Sequence, residues 1–265
     1  MNVGIVGVGL IGGSITLALR EQGHLLWLDD SRPETARALK KPRLGTVKPW
    51  QGWCSRMDLV VLAVPFPDME GIIRKVAPRM RAGAALVELS SIKAPLVPAL
   101  LEAGQRLKVA SLHFMAGREV SGFANASSTL FRDCSAAAVD VGLGYPGSEV
   151  LEWWQQQLGT KPFSLWTCPQ HDAAMAWISQ LPYIISHTLS EVVGSEVPDW
   201  LTLAGPGFKD TARVGATAWE AVAPMINHNT AEISRGLLAF EEQLRTWREY
   251  LDGQANSAVM KERSS

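Results

Sequence analysis

Short apolar runs alternate with amphipathic stretches through the first 167 residues, a pattern typical of β-α-β units around a parallel sheet. The predicted strands cover residues 2–6, 25–28, 59–64, 84–89, 109–112 and 136–139, with a last, edge strand at 162–166. Helices are predicted at about 10–21 and 149–158. The run 59–64 is apolar throughout, as expected of a strand covered on both faces. The pattern predicts a doubly wound α/β domain with a mainly parallel sheet.

From about Cys168 the apolar residues recur at helical spacing. Helices are predicted at 173–193, 219–227 and 231–250, with no strand signal between them. Pro182 lies inside the first of these and should kink it, because proline removes a helix hydrogen bond. We therefore expect residues 1–167 to form the sheet domain and 168–252 an all-α domain. Residues 253–265 are small and polar, and we expect a disordered tail there.

Composition and charge exclude several classes of protein. The chain has 265 residues and a net charge of -1, so no broad field attracts nucleic acid or an anionic membrane. Its three cysteines are far apart and form neither a metal-ligand spacing nor a disulfide framework. No apolar run is long enough to span a bilayer, and the first strand leaves no room for a secretory signal. We expect a cytoplasmic protein that binds no metal, nucleic acid or membrane.

A glycine-rich loop connects the first predicted strand to the first helix. Its cofactor-binding candidates are Gly7, Gly9, Leu10, Ile11 and Gly12. Glycines at these spacings permit a tight turn, close approach of a pyrophosphate, and close packing of helix on strand. The unpaired N–H groups of the helix N-terminus would face the phosphates. A tight turn without a ligand is the alternative, and the prediction is a Rossmann-type dinucleotide-binding domain.

Acidic residues at the end of the second strand bear on the choice of cofactor. Asp29 follows Gly9 by 20 residues (29 − 9), the spacing expected of a carboxylate that binds the ribose. Asp29 and Asp30 would both repel a ribose 2′-phosphate, which favours NAD. Arg32 could pair with that phosphate, which keeps NADP as the alternative.

Polar residues follow two neighbouring strands, where the carboxyl ends of a parallel sheet face the ligand crevice. His113 follows the strand 109–112, and Ser91 and Lys93 follow the strand 84–89. A histidine there can take a proton from an alcohol while a nicotinamide takes the hydride. Ser91 can bond the same hydroxyl or orient the imidazole. The alternatives are a histidine that caps a strand end and a loop that begins with a solvated lysine.

Taken together, these motifs resemble the prephenate/arogenate dehydrogenase family of tyrosine biosynthesis, and in particular its compact cyanobacterial-type arogenate dehydrogenases. The matching segments are Gly9–Ser14, Ser91–Lys93, His113 with Met115–Gly117, His171–Asp172, Ala176–Ser179, Leu181–Pro182 and Gly207–Gly215. The resemblance implies a Rossmann domain followed by an all-α dimerisation domain, and a homodimer with its sites between domains. It also implies oxidative decarboxylation of arogenate or prephenate, with hydride transfer to a nicotinamide cofactor.

The resemblance also implies roles for individual residues. His113 would accept the proton of the substrate's ring hydroxyl, with support from Ser91, and Arg213 would bind the ring carboxylate. His171 would line the pocket. The expected substrate-binding residues are Arg213, His171, Glu119, Asp210 and Lys93, of which Glu119 and Asp210 match acidic positions that help gate the site.

Three residues depart from the family pattern. Phe114 replaces a proline, Glu88 an aspartate and Lys209 an arginine, and we expect the ring of Phe114 to enter the site near the substrate. Two alternatives remain open: a β-hydroxyacid dehydrogenase or imine reductase, and a non-catalytic nucleotide-binding sensor. The first would not explain the motifs around His113 and Arg213. Phe114 is the feature that encourages the second. Glu119 does not decide between the two substrates, and the cyanobacterial-type similarity favours arogenate.

Overall fold

The computed structural model describes residues 1–40, 44–117 and 120–262. The chain divides into two compact units, Met1–Asp172 and Ala173–Ser265. That boundary lies beyond the predicted one at residue 167. The reason is that the helix which begins at Cys168 carries two residues, His171 and Asp172, that bond to the sheet domain.

An eight-stranded sheet organises the first unit. Its strands are β1 Asn2–Val6, β2 Leu25–Asp29, β3 Thr46–Val47, β4 Leu59–Leu62, β5 Ala85–Glu88, β6 Lys108–Phe114, β7 Ala136–Asp140 and β8 Phe163–Thr167. The strand order is β3-β2-β1-β4-β5-β6-β7-β8, and only the β6–β7 pair is antiparallel among the described strands. The mainly parallel, doubly wound sheet is confirmed. The two-residue strand β3 is too short to leave a pattern in the sequence.

Helices cover both faces of this sheet. They are α1 Leu10–Glu21, α2 Pro33–Lys40, α3 Phe66–Val76, α4 Val97–Gly104 and α5 Ser148–Leu158. Buried apolar residues form two clusters, one that includes Met69 and Leu100, and another that includes Ile15 and Trp154. Burial on both faces explains why β4 is a continuous apolar run.

Strand β6 extends further than its apolar pattern predicts. His113 pairs with Ala137 and Phe114 with Ala136 in the antiparallel ladder, so both lie inside the strand and His113 does not follow it. Successive strand residues face opposite sides of a sheet. Phe114 is 6% exposed, and its ring centroid lies 5.1 Å from that of Phe131 and 5.8 Å from that of Phe163. The expectation that Phe114 enters the substrate site is therefore wrong, because the ring packs in the core.

The second unit is helical, as predicted. Helix α6, Cys168–Met175, leads into it, and the other helices are α7 Leu181–Glu196, α8 Pro206–Arg213, α9 Trp219–His228 and α10 Thr230–Glu262. A π-helical turn, Ala176–Gln180, separates α6 from α7. Pro182, at the start of α7, cannot donate to the carbonyl of Ile178, which accounts for the interruption expected near this proline.

Helix α10 continues through residues 253–262, where a disordered tail was expected. That prediction is wrong for these residues. Apart from Gly253, the segment is rich in alanine, glutamine, methionine, lysine and glutamate, which prolong a helix readily. Across the described residues, no helix combines the length and apolar character needed to cross a membrane.

Candidate active site

The glycine loop has the geometry that a dinucleotide pyrophosphate requires. Gly7 has a φ of +86°, and a Cβ there would lie 2.6 Å from the carbonyl oxygen of Ala63. A Cβ on Gly12 would collide with the carbonyl of Gly7, so the start of α1 packs directly on the loop. Leu10 and Ile11 open α1 and are partly exposed. The loop and helix N-terminus can therefore hold phosphate oxygens.

Asp30, and not Asp29, is the carboxylate that lies against this loop. The Asp30 carboxylate accepts the N–H of Val8 at 2.8 Å and two bonds from the Arg32 guanidinium, at 2.9 and 3.0 Å. Asp29, the last residue of β2, accepts instead the N–H of Trp50 at 3.0 Å. The spacing argument points to Asp29, but the carboxylate of Asp29 is bonded to the segment that follows β3.

The two aspartates also differ in acidity. Burial raises the pKa of Asp29, and the hydrogen bond from Trp50 offsets only part of that effect. Burial would raise the pKa of Asp30 too, but the hydrogen bonds from Arg32 and Val8 outweigh burial and lower it. Asp30 is thus a firmly ionised carboxylate whose side chain is 3% exposed.

A chain of hydrogen bonds runs from backbone amides to the candidate base. Asp172 accepts the N–H of Lys93 at 3.0 Å and the N–H of Ala94 at 2.8 Å. Its Oδ1 lies 2.8 Å from Nδ1 of His171, and Nε2 of His171 lies 2.9 Å from Nδ1 of His113. His171 is 1% exposed, so it stands behind His113 as its support. His171 was expected to line the substrate pocket, and the structure instead places it behind His113.

This chain determines which nitrogen of His113 carries a proton. A carboxylate only accepts, so Nδ1 of His171 donates to Asp172. In a neutral imidazole the other nitrogen is then an acceptor, and Nδ1 of His113 donates to it. Nε2 of His113 is left with a lone pair. Burial, the charge of Lys93 and the neighbouring His171 hold the pKa of His113 well below its usual 6.5. His113 is therefore a neutral proton acceptor.

Lys93 is buried within the sheet domain. Its side chain is 0% exposed, and Nζ donates to Glu88 at 2.7 Å and to the carbonyl of Leu112 at 2.9 Å. The assignment of Lys93 as a substrate-binding residue is therefore wrong, because the apolar stem carries the ammonium into the domain and Glu88 neutralises it there. Ser91 lies between β5 and Lys93 and is partly exposed. Glu119 lies outside the described residues.

Asp210 and Arg213 both lie on α8 in the helical unit and are exposed, one helical turn apart. The segment after α8 is fixed to α7. Ser186 donates its hydroxyl to the carbonyl of Thr211 at 2.6 Å and accepts the N–H of Gly215 at 2.7 Å. A Cβ on Gly215 would collide with the backbone of α7. Gly215 thus permits the close approach that positions the end of α8 within this unit.

Some residues of this arrangement were missed in the sequence. Asp172 and Ser111 contribute to the network around His113, and Ser186 anchors the end of α8. The dipeptide His171–Asp172 was the available signal for Asp172. Ser111 and Ser186 carry no motif of their own. No group of three or more histidines, cysteines, aspartates or glutamates within residues 1–40, 44–117 and 120–262 is placed to hold a metal ion.

A Rossmann-type domain that carries a neutral histidine near the carboxyl edge of its sheet, followed by a helical domain, defines a nicotinamide-dependent dehydrogenase. Comparison with family models identifies which one. The prephenate dehydrogenase nucleotide-binding domain matches residues 15–138, and the prephenate dehydrogenase dimerization domain matches residues 167–262. The chain belongs to the prephenate dehydrogenase family. A comparison with curated proteins gives no match.

Solved structures of the same fold agree with this family. Synechocystis arogenate dehydrogenase is 25% identical over 96% of this chain and 93% of that one, with a TM-score of 0.79. Aquifex aeolicus prephenate dehydrogenase, in complex with hydroxyphenyl propionate and NAD+, is 21% identical over 98% and 94%, with a TM-score of 0.84. A Streptomyces aurantiacus imine reductase is more distant in structure, with a TM-score of 0.54, 17% identity, and coverage of 93% and 78%.

These findings establish the reaction class. The protein catalyses oxidative decarboxylation in tyrosine biosynthesis, on prephenate or arogenate, with hydride transfer to a nicotinamide cofactor. Neither open alternative is favoured. The family models match residues 15–138 and 167–262, which include His113 and Arg213. The feature that encouraged a non-catalytic sensor, Phe114, is part of the core.

Proposed function

We propose that this protein is an arogenate dehydrogenase that uses NAD, with His113 as the general base. The observation that carries the proposal is the bond from His113 Nδ1 to His171, which leaves Nε2 with a lone pair near the carboxyl edge of the sheet. A neutral imidazole held in one orientation suits removal of a hydroxyl proton. The nicotinamide, when bound, accepts the hydride from the carbon that bears this hydroxyl.

The proton and the electrons balance over the whole reaction. His113 takes the proton of the ring hydroxyl while the hydride leaves the same carbon, which gives a ring ketone. The bond to the carboxylate on the opposite carbon then breaks, and carbon dioxide leaves. The electron pair of that bond enters the ring, the ketone oxygen takes up a proton, and an aromatic phenol forms. Aromatisation drives decarboxylation, so the protein mainly orients the substrate and moves one proton.

Asp172 and His171 keep His113 ready for this step. When Nε2 of His113 takes the proton, the imidazolium donates through Nδ1 to His171, which in turn donates to Asp172. The carboxylate therefore stabilises the positive charge that appears on the paired rings, as a carboxylate does behind a catalytic histidine in serine hydrolases. His171 acts on the substrate through His113.

Residues of the helical domain would bind the charged end of the substrate ring. The planar guanidinium of Arg213 offers two parallel donors to a carboxylate, a geometry that lysine does not reproduce. Asp210 lies one turn away on the same helix, and we assign to it, and to Glu119, the acidic positions that gate the site. Ser91 would bond the ring hydroxyl beside His113.

The preference for NAD rests on Asp30. A buried, ionised carboxylate next to the glycine loop would accept a bond from the ribose 2′-hydroxyl and repel a 2′-phosphate. The guanidinium of Arg32 is held by Asp30 through two hydrogen bonds, which competes with any pairing to a phosphate. The bidentate pair therefore favours NAD over NADP.

Arogenate is preferred because the Synechocystis arogenate dehydrogenase is 25% identical to this chain, against 21% for the Aquifex aeolicus prephenate dehydrogenase. We further propose a homodimer formed through the helical domain. That domain exposes large apolar side chains, among them Trp200, Leu203 and Trp247, and the matching family model is a dimerization domain.

The test is an assay of the purified protein that follows reduced nicotinamide by absorbance, with arogenate and prephenate each supplied with NAD and with NADP. The proposal predicts that the highest kcat/KM belongs to arogenate with NAD. A higher value with prephenate would overturn the substrate assignment. A higher value with NADP would overturn the assignment of Asp30. Sedimentation in the same buffer measures the mass, and a monomer would contradict the dimer.

A further inference from the structure

An ion pair is fully buried beside the candidate base. Glu88, at the end of β5, and Lys93 are each 0% exposed, and Nζ of Lys93 lies 2.7 Å from Oε1 of Glu88. Ser111 of β6 donates its hydroxyl to the same oxygen, and the N–H of Ser90 donates to Oε2 at 2.7 Å. The pair therefore joins the carboxyl ends of β5 and β6.

Stability alone gives little reason for such a pair. Removing two charges from water costs several kcal/mol per ion, and apolar residues of similar volume often stabilise a protein as well or better. A buried ion pair among apolar residues therefore suggests a role other than stabilising the fold. The contacts of Lys93 indicate which residue the pair serves.

Lys93 is bonded to two groups that support the base, the carbonyl of Leu112 and the carboxylate of Asp172. Its ammonium donates to the carbonyl of Leu112, the residue that directly precedes His113, at 2.9 Å. Its backbone N–H donates to both oxygens of Asp172, at 3.0 and 3.1 Å. One residue thus holds the backbone that carries His113 and the carboxylate at the far end of the His171 chain.

We propose that the Glu88–Lys93 pair is a positioning device for His113, which fixes its backbone through Leu112 and maintains a positive charge that disfavours the imidazolium. The proposal rests on the proposed function in one respect, that His113 is the base. Lys93 is a positioning residue, because its ammonium bonds Glu88 and Leu112 and acts through the backbone and field at His113.

The groups around His113 and Lys93 predict the direction in which the pKa of His113 changes when Lys93 loses its charge. His171 approaches His113 from α6, while Glu88, Asp172 and Cys168 act on Lys93, and the residue of β7 that pairs with His113 is Ala137. Lys93 is one of the groups that lower the pKa of His113. If its positive charge is removed while the rest stays in place, the imidazole should accept a proton at higher pH.

The experiment is an NMR titration of the imidazole of His113 in the full-length protein, with isotope-labelled histidine and the His113→Asn variant to assign the signal. It compares wild type with Lys93→Met/Glu88→Gln, which removes both charges and nearly keeps the volume. The matched control is Arg74→Met/Glu102→Gln, which removes an exposed pair in the same domain, with a bond of 2.7 Å. The proposal predicts that the midpoint moves to higher pH in the buried double variant alone.

An unchanged midpoint in the folded double variant would overturn the proposal. If that variant does not fold, Lys93→Met replaces it. This substitution removes the positive charge directly, so the same upward shift is expected and its absence is equally decisive. The titration needs no substrate. A wild-type protein without turnover would therefore contradict the proposed function while the titration still tests the pair.

Discussion

Nδ1 of His113 lies 2.9 Å from Nε2 of His171, so the two imidazoles share one hydrogen bond. Because His171 is also bonded to Asp172, the proton of that bond belongs to His113. A strand residue and a helix residue 58 positions apart thereby define one tautomer. This arrangement holds the histidine of a β-strand in one orientation, as the proposed role of base requires.

The first prediction concerns Asp172. Asp172→Asn replaces one acceptor oxygen by a donor, so His171 no longer has a carboxylate to hold its Nδ1 proton and His113 can adopt the unreactive tautomer. We expect kcat to fall by about 10²-fold or more while the KM for NAD changes little. The control is Asp58→Asn, another carboxylate that accepts a backbone N–H, from Asn2 at 2.8 Å. Equal kcat values for Asp172→Asn and Asp58→Asn would contradict the role of the hydrogen-bond chain from Asp172 through His171 to His113.

The second prediction concerns pH. The pKa of His113 lies well below 6.5, and the neutral imidazole is the active form. Since activity is lost only as the pH falls through the folded-state pKa, kcat/KM should remain level through pH 6.5 and decline below it. Stability should also fall as the pH falls, beginning near 6.5, because an unfolded histidine takes up a proton there that the folded protein resists. A decline that begins above that pH would refute the assignment.

The third prediction concerns the cofactor. Asp30→Ser removes the carboxylate that would bind the ribose and frees Arg32 to pair with a 2′-phosphate. The ratio of kcat/KM with NADP to that with NAD should rise by about tenfold or more, the worth of one charge-assisted hydrogen bond. Asp29→Asn serves as the control, because its carboxylate bonds Trp50. If Asp29→Asn changes the ratio and Asp30→Ser does not, the original spacing argument was correct.

The fourth prediction concerns the support of α8. Gly215→Ala places a Cβ against the backbone of His187, so the turn after Arg213 must move. Overpacking of this kind costs about 1–3 kcal/mol, and we expect a lower unfolding temperature and a higher KM for the substrate. Gly207→Ala, on the same helix with no atom within 4 Å of its Cβ, should be neutral or slightly stabilising. Thermal unfolding of Gly215→Ala and Gly207→Ala, measured side by side, tests this difference in stability. Equal unfolding temperatures would contradict it.

Periodicity predicted most of this fold because strands and helices here follow their apolar patterns closely. β1, α1 and α5 match within a residue at each end. The pattern underestimated β6, because a polar His113 in an antiparallel pair breaks the apolar run. It also missed the helical end of α10, because the small and polar residues of that segment give no apolar period in the sequence.

The candidate site could be predicted only in part. The motifs led to the family, whose models match residues 15–138 and 167–262, and the roles of His113 and the glycine loop stay predictions. Sequence spacing could not distinguish Asp29 from Asp30, because adjacent side chains at a strand end take different directions. Lys93 was placed at the substrate because it follows the strand 84–89, at the edge of the sheet where ligands bind. Its burial depends on Glu88, five residues earlier, and on a carbonyl 19 residues later.

The central claim is that His113 removes the proton during hydride transfer, and one comparison tests it most directly. Turnover of arogenate with NAD would be measured for wild type, His113→Asn and the control His24→Asn, whose histidine bonds Gln157 at 3.0 Å elsewhere in the sheet domain. Fluorescence titration with NAD would show that all three bind the cofactor. The account predicts a loss of about 10²-fold or more in kcat for His113→Asn alone. Near wild-type turnover by His113→Asn would contradict it.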